Sequence, residues 1–247
     1  MGEMLWLRAV AALACLTLLI PRSDIQALWR TSRPGLHLLR VACSATEVFG
    51  FYWAVARTPL ANMTAIYLAA PIYVTAMAAV FLREPVGLRR WAAVGAGFIG
   101  VVLAVRPSGE GMSFPALVAV GGSVLYAVSL VATRRLRDAP SAVLVGTQMA
   151  GLLVVSTFTV ASGWVMPTSW QFVAMAGIGA ASTVAFWCVN HGLRLASASA
   201  VAPINYSSIV WATAMGYLVF GDVPALATLA GAAIIVASGL AIALRRS

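Results

Sequence analysis

The chain has 247 residues, of which 62% are apolar and only 9% are charged, and its formal net charge is +9. A soluble domain is about half apolar and about a quarter charged, so a single soluble core of this length cannot bury that much apolar surface. A bilayer helix takes about 20 residues, and nine of them leave fewer than about ten residues for each connection. This excludes an additional soluble catalytic or nucleic-acid-binding domain.

Long apolar stretches separated by proline- and arginine-containing connections predict nine membrane helices. We label them spans A to I in chain order: A 4–20, B 36–56, C 60–82, D 88–105, E 115–133, F 142–162, G 170–191, H 198–220 and I 225–244. Only helices and closed barrels satisfy the backbone in lipid, and these spans are too long and too uniformly apolar for barrel strands. The predicted fold class is therefore an all-α integral membrane protein.

The basic residues, all 16 of them arginine, are distributed unequally between alternate connections. Connections A–B, C–D, E–F and G–H and the C-terminal tail hold twelve, whereas the alternate connections hold only Arg57 and Arg106. Basic residues accumulate in cytoplasmic loops. The distribution predicts a cytoplasmic C-terminus and, with nine helices, an N-terminus outside.

The two halves of the chain resemble each other when they are offset by 138 residues, which places span H on span C. Thr75-Ala76-Met77 then aligns with Thr213-Ala214-Met215, and one inserted residue aligns Glu84-Pro85 with Asp222-Val223-Pro224. Spans C and H are five helices apart, so the matching corners lie on opposite membrane faces. Such inverted repeats are typical of secondary transporters, which bind their substrates near the middle of the membrane.

The two acid–proline corners, each followed by a glycine-bearing helix, resemble the two halves of an EamA-type transporter of the drug/metabolite transporter superfamily. The resemblance covers nearly the whole chain and implies ten helices in two five-helix inverted repeats. Here the first repeat, residues 1–107, has four helices, and the second, residues 112–247, has five. Span A resembles the second helix of the family, so we expect a start assigned too late, a fragment or a nine-helix variant.

The resemblance implies a multi-pass protein of the bacterial inner membrane that moves a small metabolite by alternating access. Export coupled to protons is the expected use, and amino acids, nucleotide-like or drug-like solutes are the expected substrates. The sequence has no ATP-binding loop or catalytic motif, and its three cysteines fit no metal site, so neither an enzyme nor a cofactor is expected. The expected partners are the substrate, the lipid bilayer and protons, without nucleic acid, and a homodimer is left open. The alternative function is a non-transporting membrane partner or an inactive fragment without its first helix.

Glu47, near the middle of span B, is the strongest candidate for substrate binding or ion coupling. A carboxylate in a membrane helix is costly and usually faces a cavity, a partner charge or a proton pathway. A structural contact between helices is the alternative. Arg8 and Arg40 lie one or two turns inside their spans, where they either pair with Glu47 or extend to the interface. The family resemblance adds a contact between Arg8 and an anionic substrate.

Span H contains the most polar stretch of the second half. Pro203 is expected to break this helix and free backbone carbonyls for a ligand, next to Asn205, Tyr206 and Trp211. Further residues are candidates for stacking on a substrate or hydrogen bonding to it, and for each of them ordinary packing is the alternative. They are Tyr52, Trp53, Tyr67, Tyr73, Tyr126, Gln148 and Trp187.

Glu84 and Asp222 each precede a proline at the start of the next helix, which predicts that both are helix N-caps rather than a pair of catalytic acids. Glycines distributed over several spans are expected to allow close helix packing. They are Gly95, Gly97, Gly121, Gly122, Gly177, Gly179, Gly231 and Gly239.

Overall fold

The computed structural model describes residues 2–19, 33–57, 66–105, 113–161, 164, 166–215, 217–218 and 226–243, and every regular element in them is helical. Each of the nine predicted spans contains a helix, and span H contains three short ones. The helices are α1 (Gly2–Leu19), α2 (Pro34–Val55), α3 (Ala70–Phe81), α4 (Leu88–Val105), α5 (Phe114–Arg135), α6 (Ser141–Val160), α7 (Ser169–Leu195), α8 (Ala198–Val201) and α9 (Ser207–Met215), with a 3-10 helix at Ala202–Tyr206 between the last two, and α10 (Leu226–Ala243).

Among the described residues, four helices are both long enough and apolar enough to cross a membrane: α2, α5, α6 and α7. Large apolar side chains also face outward on other helices, as in Leu18, which is 86% exposed, and Leu88, which is 85% exposed. Surfaces of this kind are unfavourable in water but are stable against lipid. The outward faces therefore fit a bilayer environment.

The helices group into two compact units, each of which takes residues from both halves of the sequence. The first unit comprises Met1–Thr46 and Ala132–Leu195, and the second comprises Glu47–Val131 and Ala196–Ser247. The three boundaries between the units fall within α2, close to the end of α5 and at the end of α7. The units therefore cut across the repeats predicted from the sequence, which remain a prediction.

In the first unit, α1 packs against α6 and α7. A β-carbon at Gly179 on α7 would come within 2.7 Å of the Arg8 carbonyl oxygen, so only glycine allows this approach of the two backbones. One turn further along, the Thr183 hydroxyl donates to the Ala12 carbonyl over 3.2 Å. Small and hydroxyl-bearing residues thus fix the contact between α1 and α7, as is usual for helices in membranes.

The arginines of the E–F and G–H connections bind backbone carbonyls in the first unit. Arg134 donates to the carbonyls of Leu193 and Arg194 at the end of α7, over 2.8 and 3.1 Å. Arg194 in turn donates to the Arg137 carbonyl over 2.9 Å. Each arginine satisfies acceptors that a helix C-terminus leaves open. Two connections that the arginine distribution assigns to the cytoplasm therefore contact each other.

In the second unit, α4 packs against α10. A β-carbon at Gly100 would lie 2.9 Å from the Gly231 carbonyl oxygen. The packing prediction is wrong for some glycines, since no described atom lies within 4 Å of the β-carbon position at Gly95, Gly121 or Gly177. The surroundings of Gly239 lie outside the described residues.

Candidate functional site

Glu47 is half-buried on α2 in the second unit, and two tyrosines from other segments face it. The Tyr67 hydroxyl donates to the Glu47 backbone carbonyl over 3.2 Å, and the phenols of Tyr67 and Tyr126 both interact electrostatically with the Glu47 carboxylate. Tyr126 on α5 also shares a side-chain hydrogen bond with Asn205 of the 3-10 helix. These residues, Glu47, Tyr67, Tyr126 and Asn205, are called the Glu47 cluster below.

Aromatic rings flank the Glu47 cluster on α2. Phe51 lies one turn after Glu47 on the same helix face. Its ring packs edge-to-face against Tyr67, with centroids 4.8 Å apart, and against Tyr52, with centroids 5.7 Å apart. Apolar ring surfaces beside a few convergent polar groups are the usual composition of a binding site for a small organic molecule.

Two features of the sequence place these side chains locally. Gly122 on α5 faces the Tyr67 hydroxyl, and a β-carbon there would overlap with it. Tyr126 follows Gly122 by one turn, so both lie on the same face of α5. The break predicted at Pro203 is confirmed, because this residue, which has no backbone N–H to donate, is the second residue of the 3-10 helix. Asn205 lies in this 3-10 helix, two residues after Pro203.

Two residues of span H predicted to bind substrate, Tyr206 and Trp211, have surroundings different from those of Asn205. Tyr206 is completely buried, and its hydroxyl donates to the Val94 carbonyl over 3.3 Å. Trp211 is 66% exposed, so it faces outward. The 3-10 helix turns by about 120° per residue instead of about 100°, which changes the face on which later residues lie.

Trp53 adjoins the Glu47 cluster, because it packs with Tyr67 against the buried residues Ala54 and Ala119, whereas Tyr73 and Trp187 lie on other helices. Trp53 packs edge-to-face against Phe114 with centroids 5.8 Å apart, and the Arg57 guanidinium lies 4.1 Å from its ring centroid. Tyr73 is half-buried on α3. Trp187 packs against the buried cluster of the first unit that contains Ala12.

Arg40 does not extend to the interface; it is completely buried in the first unit. One terminal nitrogen donates to the Gln148 side-chain oxygen over 3.2 Å, and the other donates to the Leu144 carbonyl over 2.6 Å and the Thr147 hydroxyl over 2.8 Å. The interfacial interpretation of Arg40 is wrong because these acceptors on α6 replace water. They also account for Gln148, one of the substrate-ligand candidates of the sequence. Arg8 is half-buried on α1 in the same unit.

Glu84 caps a helix, but the target differs from the prediction. Its carboxylate accepts hydrogen bonds from the backbone N–H of Ala198 over 3.2 Å, the N–H of Ser199 over 3.5 Å and the Ser199 hydroxyl over 3.2 Å. It therefore caps α8, 114 residues further along the chain. The helix that follows Glu84, α4, begins instead with backbone bonds to the Gly87 carbonyl. Asp222 lies outside the described residues.

Comparison with known proteins identifies a family and a fold. The model of the EamA-like transporter family matches residues 2–106 and 113–244. A riboflavin transporter of Vibrio cholerae is 31% identical over 218 residues, which cover 85% of this chain and 71% of the relative. A riboflavin transporter of Rhizobium johnstonii is 28% identical, with 85% and 70% covered.

An S-adenosylmethionine uptake transporter of Rickettsia bellii is 24% identical over 213 residues, which cover 85% of this chain and 73% of the relative. A crystal structure of a protein 19% identical to this chain superposes with a TM-score of 0.83, covering 100% of this chain and 88% of that one. At this identity, the superposition shows a shared fold and nothing about the substrate.

Proposed function

Because this chain belongs to the EamA-like transporter family, we propose that it carries a metabolite with a flat heteroaromatic ring across the bacterial inner membrane. The protein is a multi-pass membrane transporter of a small metabolite and not an enzyme. The observation that carries the finer proposal is the meeting of Glu47, Tyr126 and Asn205 beside aromatic rings. We place substrate binding at this Glu47 cluster.

The chemistry of the cluster supports this substrate class. Riboflavin and S-adenosylmethionine, the molecules for which the relatives are named, both join a flat nitrogen heterocycle to a sugar-derived group with several hydroxyls. Phe51 and Tyr67 offer ring surfaces for the heterocycle. The Asn205 amide both donates and accepts along a ring edge, and the Glu47 carboxylate accepts from an N–H or a hydroxyl. A flavin is favoured over an adenosyl compound because the riboflavin transporter of Vibrio cholerae has the higher identity.

Two inverted repeats, residues 1–107 and 112–247, are proposed to expose the Glu47 cluster alternately to the two sides of the membrane. The family model matches two separate stretches, of which the first ends at residue 106 and the second begins at residue 113. These positions are close to the proposed bounds of the repeats and support the division. For the direction of transport we propose uptake. The expectation of export comes from the family resemblance alone, whereas the relative in Rickettsia bellii is named an uptake transporter.

Coupling to protons is proposed to act through Glu47, because an intramembrane carboxylate exchanges protons along a transport pathway. Among the described contacts, two titratable groups, Tyr67 and Tyr126, interact with it. We propose that the carboxylate, rather than either phenol, gains and loses this proton. Glu47 is therefore the member of the cluster that changes its charge.

Uptake by purified protein in lipid vesicles tests the substrate class. Riboflavin, S-adenosylmethionine and a mixture of amino acids are supplied in separate arms, and we expect riboflavin to enter. Asn205→Ala and Tyr126→Phe should each raise the KM by about tenfold, since each removes a hydrogen bond in a desolvated site. Tyr217→Phe, which changes an exposed tyrosine, is the matched control. Well-folded wild-type protein that transports neither ring compound would refute the proposal.

The coupling proposal is tested in the same vesicles with and without a pH gradient. We expect a gradient, acidic outside, to accelerate uptake by the wild-type protein and to have no effect on Glu47→Gln. Asp138→Asn removes an exposed carboxylate and should keep the response. A Glu47→Gln protein with the wild-type response would exclude Glu47 from coupling.

A further inference from the structure

Helix α8 receives its N-terminal cap from a distant part of the second unit. Ser197 is its N-cap residue, with an extended backbone at φ −61° and ψ 147°. A serine in this position normally accepts a hydrogen bond from its own helix. Here the Ser197 side chain makes no such bond, and its hydroxyl accepts instead from an Arg90 terminal nitrogen over 3.3 Å. The Glu84 carboxylate takes over the capping role.

The Ser199 hydroxyl joins the two charged residues. It accepts from the same Arg90 nitrogen over 2.8 Å and donates to the Glu84 carboxylate over 3.2 Å. Ser199 itself is completely buried. Hydrogen bonds that involve an ionised partner are roughly twice as strong as neutral ones, and more so away from water. We call Glu84, Arg90, Ser197 and Ser199 the corner clamp.

The corner clamp holds one end of the short segment that carries Asn205. The other end is held by Tyr206, which is completely buried, donates to the Val94 carbonyl and packs its ring against Gly97. Asn205 lies about 11 Å from Ser199, by the rise per residue of α and 3-10 helix. A 3-10 helix has weaker internal hydrogen bonds than an α-helix. The position of Asn205 therefore depends on how firmly both ends are held.

We propose that Glu84 and Arg90 are positioning residues for substrate binding. By fixing the N-terminus of α8, they keep Asn205 aligned with Tyr126 and Glu47. They touch no substrate, and they act through the seven residues from Ser199 to Asn205. This inference rests on the proposed function of the Glu47 cluster. It implies that a loosened clamp lowers substrate affinity more than it lowers the maximal rate.

Hydrogen exchange of the purified protein tests the positioning without any substrate. Glu84→Gln weakens the cap, and Ser199→Ala is a milder change that removes only the shared hydroxyl. In each variant we expect the backbone amides of Ala202, Ile204, Asn205 and Tyr206 to exchange about tenfold faster than in wild type. Arg89→Gln, an exposed neighbour in the same corner, is the matched control and should leave exchange unchanged. Wild-type exchange rates in both Glu84→Gln and Ser199→Ala would overturn the proposal.

Riboflavin uptake then tests whether the clamp acts through Asn205. We expect Glu84→Gln to raise the KM about fivefold to tenfold while Vmax stays within about twofold of wild type. In an Asn205→Ala background, Glu84→Gln should add little, because the residue that it positions is already absent. Fully additive effects on KM would mean that Glu84 acts elsewhere and would overturn the inference. A wild-type protein that does not transport riboflavin would refute the proposed function, and the exchange rates would still decide the positioning.

Discussion

Arg40 and Glu47 lie seven residues apart on α2, on the same helix face and about 10 Å apart along the axis. Arg40 is completely buried, and three acceptors on α6 bind its terminal nitrogens. Glu47 is half-buried and faces phenols whose hydroxyl groups are able to bind a ligand. From the sequence alone, both are ionisable residues inside a membrane span.

The difference shows that a charge within a membrane helix has two distinct uses. Both terminal nitrogens of Arg40 donate to acceptors on α6, so this residue fastens α2 to α6. Glu47 lies near Tyr126 on α5, which is hydrogen-bonded to Asn205 of the 3-10 helix. The hydroxyl and amide groups of these two residues are able to bind a small molecule. Stability should therefore depend mainly on Arg40, and transport mainly on Glu47.

The largest expected effect is the loss of stability in Arg40→Met. This variant keeps an apolar stem but leaves the buried Leu144 carbonyl and the half-buried Thr147 and Gln148 oxygens without their donor, which costs about 1–3 kcal/mol. We expect a large fall in the melting temperature of the purified protein. Arg33→Met, which changes an exposed arginine on the same segment, should melt like wild type. An unchanged melting temperature in Arg40→Met would show that Arg40 does not stabilise the fold and would contradict the proposed difference between Arg40 and Glu47.

The second prediction concerns Glu47→Gln, which should lose transport while it remains folded. Glutamine has nearly the same volume and keeps one acceptor oxygen, so we expect the free energy of unfolding to change by less than about 1 kcal/mol. Riboflavin uptake should fall at least about tenfold, because an ionised acceptor is replaced by a neutral one. If Glu47→Gln melted at as low a temperature as Arg40→Met, Glu47 would be a residue that stabilises the fold, as Arg40 does.

Two adjacent glycines give a smaller and more local test. A β-carbon at Gly122 would overlap with the Tyr67 hydroxyl, whereas the β-carbon position at Gly121 has no described atom within 4 Å. Gly122→Ala should therefore displace Tyr67 from the Glu47 carbonyl and raise the KM for riboflavin by about threefold to tenfold. Gly121→Ala should leave the KM unchanged and raise helix stability slightly. Equal KM values for the two variants would show that Tyr67 does not depend on this contact.

The sequence predicts much of the fold because helix formation in lipid follows local rules. Apolar length sets the spans, and Pro203 breaks span H where a missing N–H and a rigid ring require it. The sequence also identifies Glu47, Tyr67 and Asn205 as candidates, because polar groups in a membrane helix are costly and usually have a functional role. These predictions use only the composition of short segments.

The partners of these residues were not predictable, because they depend on contacts between distant segments. The rule for charged residues near span ends assigns Arg40 to the interface, but Thr147 and Gln148, more than 100 residues later, make burial favourable. The rule for N-caps considers only the following helix, so it assigns Glu84 to α4 rather than to α8. How each helix rotates about its axis is likewise set by packing, which is why Trp211 faces outward.

The smallest expected effect concerns Arg83, whose backbone conformation rather than its side chain affects stability. Arg83, at the end of α3, has a φ of 53°, in the left-handed region, and the next N–H bonds back to the Ala78 carbonyl. Glycine adopts this conformation without the steric strain of about 1 kcal/mol that other residues carry. Arg83→Gly should therefore unfold with a free energy about 1 kcal/mol higher than Arg83→Ala, which keeps the strain. Transport should be the same in both. Equal free energies of unfolding in Arg83→Gly and Arg83→Ala would show that the left-handed backbone at this position carries no strain.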